Sequence, residues 1–117
     1  MTDHNKPGTG LEQLTLNSVR AASLAAEAKH PWARILRNPD MSRAEKLACL
    51  GEEFGEICEL FTYDKRVGYE MDGDWWQEKL IRELLQLAQC AASWAEAEEH
   101  RSSEVEATGD GQYRVKP

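Results

Sequence analysis

The stretch CLGEEFGEICEL, residues 49 to 60, sets Glu52, Glu53, Glu56 and Glu59 on one helical-looking segment, and Glu83 and Gln86 recur on another. Residues three apart share a helix face, so Glu53 pairs with Glu56 and Glu83 with Gln86. Carboxylates gathered beside a low-dielectric core repel one another and are relieved by a shared cation. An all-oxygen donor set suits Mg²⁺, with Mn²⁺ as its substitute. The competing reading is a solvated acidic face, where helix glutamates usually belong.

Three helical segments must position these groups. The first spans about Leu11 to Lys29 and ends where His30-Pro31-Trp32 forces an extended turn; a short turn over Trp32 to Arg37 follows. The second begins at Ser42, with Glu45 completing a capping-box pattern, and is expected to reach Thr62. The third is expected to start with Asp74 as its cap and to run to about Glu99. No run of β-branched residues alternates with polar ones, so the expected fold is all-α. Residues 1–10 read as a flexible lead-in, 11–99 as one helical domain and 100–117 as a flexible tail.

On a helical wheel, Leu47, Leu50, Phe54, Ile57 and Phe61 form the expected core stripe of the second helix. Glu53 and Glu56 lie along one edge of it. Ala44, Ala48, Gly51, Gly55 and Cys58 line the other edge, a groove of small residues into which a neighbouring helix can approach. On the third helix the expected stripe is Leu80, Leu84, Leu87, Ala88, Ala91 and Ala95, with Trp94 on its edge. Antiparallel packing through these stripes brings Glu53, Glu56 and Glu83 to one border of the core. Three helices leave apolar surface that a second copy can cover, so the bundle is expected to be completed by oligomerisation, as a homodimer or homotetramer.

Composition narrows the partners. Asp and Glu number 21 against 14 Lys and Arg, a formal charge of -7. That balance argues against a nucleic acid polymer, whose phosphates are bound by Lys and Arg. No run is apolar enough for a membrane span, and MTDHNKPGTG lacks the apolar middle of a signal peptide, so a cytoplasmic setting is expected. Cys49, Cys58 and Cys90 lack metal-ligand spacing and read as small buried or half-buried hydrophobes.

Glu53-Phe-Gly-Glu56, followed by ELLQLAQCAASWAEA, resembles the MazG-like all-α nucleoside triphosphate pyrophosphohydrolases. That superfamily also holds phosphoribosyl-ATP pyrophosphatase and the dimeric dUTPases. Its signature is Glu-x-x-Glu on one helix and Glu-x-x-Asp on the next. Glu83-Leu-Leu-Gln86 matches the second half except at its last position. The resemblance spans roughly Leu11 to Glu98.

It implies Mg²⁺-dependent cleavage of a nucleoside triphosphate between its α- and β-phosphates, giving a monophosphate and pyrophosphate. Glu53, Glu56 and Glu83 would hold the metal, Gln86 would offer a carbonyl oxygen without charge, and Glu52 would act in the outer shell. Lys79 and Arg82 are candidates for substrate phosphates or plain surface cations. Trp32 either stacks on a base or anchors its turn. The glutamine leaves three versions open: a slow enzyme, altered metal use, or a fold kept for binding a nucleotide or a protein.

Overall fold

A computed structural model describes residues 10–67, 73–101 and 104–117; most of the expected lead-in therefore lies outside the described residues. Three helices account for most of the chain: α1 (Gln13–Lys29), α2 (Arg43–Val67) and α3 (Asp74–His100). Both α1 and α2 pack against α3, which is the central element. α1 stops at Lys29 because His30 precedes a proline and takes an extended backbone, φ -126 and ψ 150. A single 3-10 turn, Trp32–Arg34, leads on toward α2.

The start of α2 is fixed by its capping residues. The Ser42 hydroxyl accepts the Glu45 backbone N–H at 3.1 Å and donates to the Glu45 carboxylate at 3.2 Å. One turn on, the Lys46 side chain is 0% exposed and donates to the Asn38 carbonyl at 2.8 Å. Burial is the main reason the Lys46 ammonium is held below the usual lysine range. The Asn38 side chain also donates to the Trp32 carbonyl at 3.0 Å, so one buried residue joins the 3-10 turn to α2.

Two boundaries differ from expectation. α2 continues to Val67, taking Lys65 and Arg66 into the helix. The N-cap of α3 is Gly73, and Asp74 is instead the first helical residue. There its charge favours the positive end of the helix dipole without a capping hydrogen bond.

The tail also departs from the all-α expectation. Val105–Ala107 (β1) and Tyr113–Val115 (β2) form an antiparallel hairpin packed against α3. Gly109 and Gly111 supply its turn with φ of +89 and +87, values that L side chains rarely adopt. Tyr113 donates to Glu99 at 2.9 Å and fastens the hairpin to α3. The mostly helical character holds; the expected loose tail does not.

The largest correction concerns which helix faces meet. The expected core stripe of α2 points outward at three of its five positions: Leu47 is 60% exposed, Phe54 58% and Phe61 42%. The face turned inward carries Lys46, Ile57 and Leu60, with Cys49, Leu50 and Glu53 half-buried. On α3 the buried residues Trp76, Glu83, Cys90 and Ala97 recur every seventh position, joined by Gln89 and Ser93. Leu84, Ala88, Ala91 and Ala95 are exposed, again against expectation. Within one chain α3 can cover only one side of α2, and the side it covers holds the acids. Among the described residues no other element approaches within 4 Å of where a Cβ on Gly51 or Gly55 would stand, so α1 and α3 leave the small-residue groove unfilled.

Local anchors secure the packing. The Trp76 indole donates to the Leu60 carbonyl at 3.2 Å and meets Phe61 edge-on, with centroids 5.0 Å apart. Glu98 accepts from Arg43 at 2.7 Å, from Arg101 at 3.1 Å and from Trp94 at 3.1 Å, tying the start of α2 to the end of α3. Trp94 is accordingly half-buried, with its polar edge in use.

Candidate functional site

Glu53 and Glu56 enter the site from α2, three residues and therefore one turn edge apart, and Glu83 faces them from α3. Each offers one carboxylate oxygen to a cluster whose members all lie within 4.8 Å of one another. Glu53 Oε2 and Glu83 Oε2 are shielded from water and have no hydrogen-bond partner among the described residues. An acceptor left in that condition carries a desolvation penalty of roughly 1–3 kcal/mol, more when ionised. Glu83 Oε1 is paired with Lys79 Nζ at 3.0 Å.

The three carboxyls do not titrate alike. Burial chiefly, then the charges of Glu83 and Glu52, pushes Glu53 up. Glu56 is pushed up to about 7, first by its hydrogen bond with Glu83 and then by burial and the neighbouring charges. Burial also pushes Glu83 up, but hydrogen bonds from Glu56 and Lys79 and the Lys79 and Arg82 charges outweigh it. Glu83 is thus held below the usual carboxylate range, and Glu56 keeps the shared proton.

The cluster borders a cavity of about 720 Å³ between α1, the 3-10 turn, α2 and α3. Glu52, Glu53, Glu56, Glu83 and Gln86 line its acidic side; Lys29, His30 and Arg34 line it too. On the other flank of Glu56 and Glu83 a cleft of about 210 Å³ includes Glu59 and Lys79. The acidic group therefore stands between two openings, accessible to solutes but with two of its oxygens dry.

The other expected site residues divide. Glu52 is exposed on the cavity wall, where its charge acts on Glu53. Gln86 lines the cavity, and its carbonyl oxygen accepts from Gln89 Nε2 at 3.3 Å. Gln89 in turn accepts from Ser93 Oγ at 3.3 Å, and Ser93 meets Ser23 of α1 at 3.3 Å. Lys79 serves Glu83, while Arg82 pairs with Glu78 at 3.1 Å on the exposed face. Trp32 does not line the cavity; the Arg37 guanidinium lies over its ring at 5.3 Å.

Sequence reasoning missed the basic residue types on this wall. Lys29, His30 and Arg34 stand at a helix end and in a turn, far along the chain from the acids, and only the docking of α1 on α3 brings them to this cavity. The available signal was three basic residues flanking a helix-ending proline in a strongly acidic chain. Cys49 and Cys90 also line the cavity, with Cys90 buried and Cys49 half-buried as expected; Cys58 is exposed, against expectation.

No family model, curated protein or solved structure matches the chain. Among the described residues no helix is long and apolar enough to cross a membrane.

Proposed function

We propose that the protein is a Mg²⁺-dependent nucleoside triphosphate pyrophosphohydrolase that releases a nucleoside monophosphate and pyrophosphate. The observation that carries this reading is the meeting of Glu53, Glu56 and Glu83 at one edge of a nucleotide-sized cavity, with two carboxylate oxygens dry and unpartnered. That donor set fits Mg²⁺: all oxygen, anionic, and too few ligands to displace every water from the ion. The motif resemblance supplies the reaction, and the cavity supplies room for its substrate.

Glu53, Glu56 and Glu83 would hold the ion. When bound, it would neutralise phosphate charge and acidify water held against the substrate. The chain's own residues have separate tasks. With an ion bound, Glu56 would serve as a carboxylate, its proton released to solvent. Lys79 holds Glu83 in orientation from behind. Glu52, exposed on the cavity wall, is placed to accept a proton from the attacking water.

The apolar stripe of α2 and the exposed Ile81 and Leu84 of α3 support the second part of the reading, a homo-oligomer in which another copy covers these faces. A nucleotide panel assayed for pyrophosphate with Mg²⁺ or Mn²⁺ tests the enzyme directly. Activity is expected from at least one (d)NTP, abolished by chelator and by Glu56→Ala. A panel that yields no pyrophosphate overturns the hydrolase reading.

A further inference from the structure

The chain carries a net charge of -7, and its large cavity is lined by five glutamates, yet Lys29, His30 and Arg34 line that same cavity. Lys29 and Arg34 form no ion pair or hydrogen bond through their side chains among the described residues. Arg37, Arg43, Lys79, Arg82, Arg101 and Arg114 are all paired with glutamates. Cations left unpaired amid so many acids are available to an anion from solution.

The segment that presents them is braced. Arg37 grips Glu27 of α1 through two bonds, 2.8 and 2.9 Å, and reaches Glu96 of α3 at 3.4 Å. It also lies over Trp32, and Asn38 holds the Trp32 carbonyl. The turn bearing Arg34 is therefore fastened to α1, to α3 and, through Asn38 and Lys46, to α2. A fixed basic edge is a better anion receiver than free surface lysines, because less side-chain and loop freedom is lost on binding. Arg34 also makes itself felt inside the cavity, where its positive charge acts on the Cys49 thiol.

The geometry points to Lys29, His30 and Arg34 as the receiving site for the terminal phosphates of a polyphosphate chain whose inner phosphates sit at Glu53, Glu56 and Glu83. This deepens the hydrolase reading and rests on it: the ligand class is a tri- or longer polyphosphate, bound at both ends of one cavity. After cleavage, the same residues hold the leaving pyrophosphate. A single phosphate does not engage the acidic group and the basic edge together, so orthophosphate gains little from the second.

Inorganic tripolyphosphate with Mg²⁺ is the probe, because it needs no knowledge of the base. Calorimetry is run on wild type, on Lys29→Ala/Arg34→Ala, on Arg34→Lys and on Arg20→Ala, an exposed α1 cation that does not line the cavity. The double variant is expected to bind at least roughly tenfold more weakly, a loss of two charge-assisted contacts. Arg34→Lys is expected to retain most of the affinity and Arg20→Ala all of it. Orthophosphate affinity should not change in any variant.

Equal tripolyphosphate affinity in wild type and the double variant overturns the inference, as does an equal loss in Arg20→Ala. The two readings fail separately. Weakened binding in the double variant with no pyrophosphate from any nucleotide leaves the anion site standing and removes the hydrolase. Turnover with wild-type KM in the double variant does the reverse.

Discussion

Gln89 donates its side-chain N–H to Gln86 Oε1 at 3.3 Å, so one lone pair of the oxygen that Gln86 would offer a cation is in use. A neutral oxygen that already accepts a hydrogen bond is a weaker cation ligand than the carboxylates beside it. Gln86→Ala is expected to leave Mg²⁺ affinity nearly unchanged, whereas Glu83→Gln lowers it by roughly tenfold or more. Titration calorimetry with the metal alone checks this; a Gln86→Ala loss as large as that of Glu83→Gln would restore the glutamine to the ligand set.

Adding a fourth carboxylate at that position has a signed consequence. Gln86→Asp places another negative charge beside the cluster, where neighbouring carboxylates already help to push Glu53 and Glu56 up. The variant is expected to melt lower than wild type in chelator and to recover more than wild type when Mg²⁺ is added. Differential scanning calorimetry in the two buffers reads both changes.

The shared proton gives a pH dependence. Glu56 is pushed up to about 7 in the folded chain, above its ordinary value of about 4.5 in an unfolded one. A folded-state pKa above the unfolded one means the folded chain holds the proton more tightly. The stabilisation is full below about 4.5 and is lost as pH rises through about 7. The metal-free protein should therefore lose stability between pH 5 and pH 8, and Glu56→Gln should flatten that slope. Glu98 works in the opposite direction. Arg43 chiefly holds it down to about 2, so its contribution is present above 4.5 and is lost as pH falls toward 2. Melting curves across pH 2 to 8 should show both limbs.

Trp76 separates packing from hydrogen bonding. It is buried on α3, against Phe61, with its indole N–H on the Leu60 carbonyl. Trp76→Phe removes the hydrogen bond and is expected to cost about 1–3 kcal/mol. Trp76→Ala also opens a cavity and is expected to cost about 3–5 kcal/mol. Urea unfolding measures both.

Phe54 gives the test of assembly. It is 58% exposed, so Phe54→Glu removes little packing within the chain. The variant is expected to sediment as a monomer while keeping its helical circular dichroism. A wild type that already sediments as a monomer would end the oligomer reading.

The acidic trio was legible in the sequence because helical spacing alone puts Glu53, Glu56 and Glu83 at matching phase on their helices. The faces were not. A wheel shows that Phe54 and Glu53 lie on neighbouring faces of α2, but not which face meets α3 and which is left for something else. Phe54 and Leu84 were assigned inward because burial of apolar residues is the usual rule, and in this chain the polar edges meet instead. The hairpin escaped notice because its two strands have three residues each, too short for an alternation to register. Gly109 and Gly111 were its only clear signal, and they read equally as loop residues.

The three thiols now have distinct chemical addresses. Burial pushes Cys90 up to about 12 and also raises Cys49, so both wall thiols are poor nucleophiles near neutral pH. Cys58 is exposed and does not line the large cavity. The native chain thus carries an attachment point for a fluorophore or spin label, two residues past Glu56 but on the small-residue edge of α2, that needs no mutation. A label there reports on α2 from outside the cavity and leaves it open to whatever enters it.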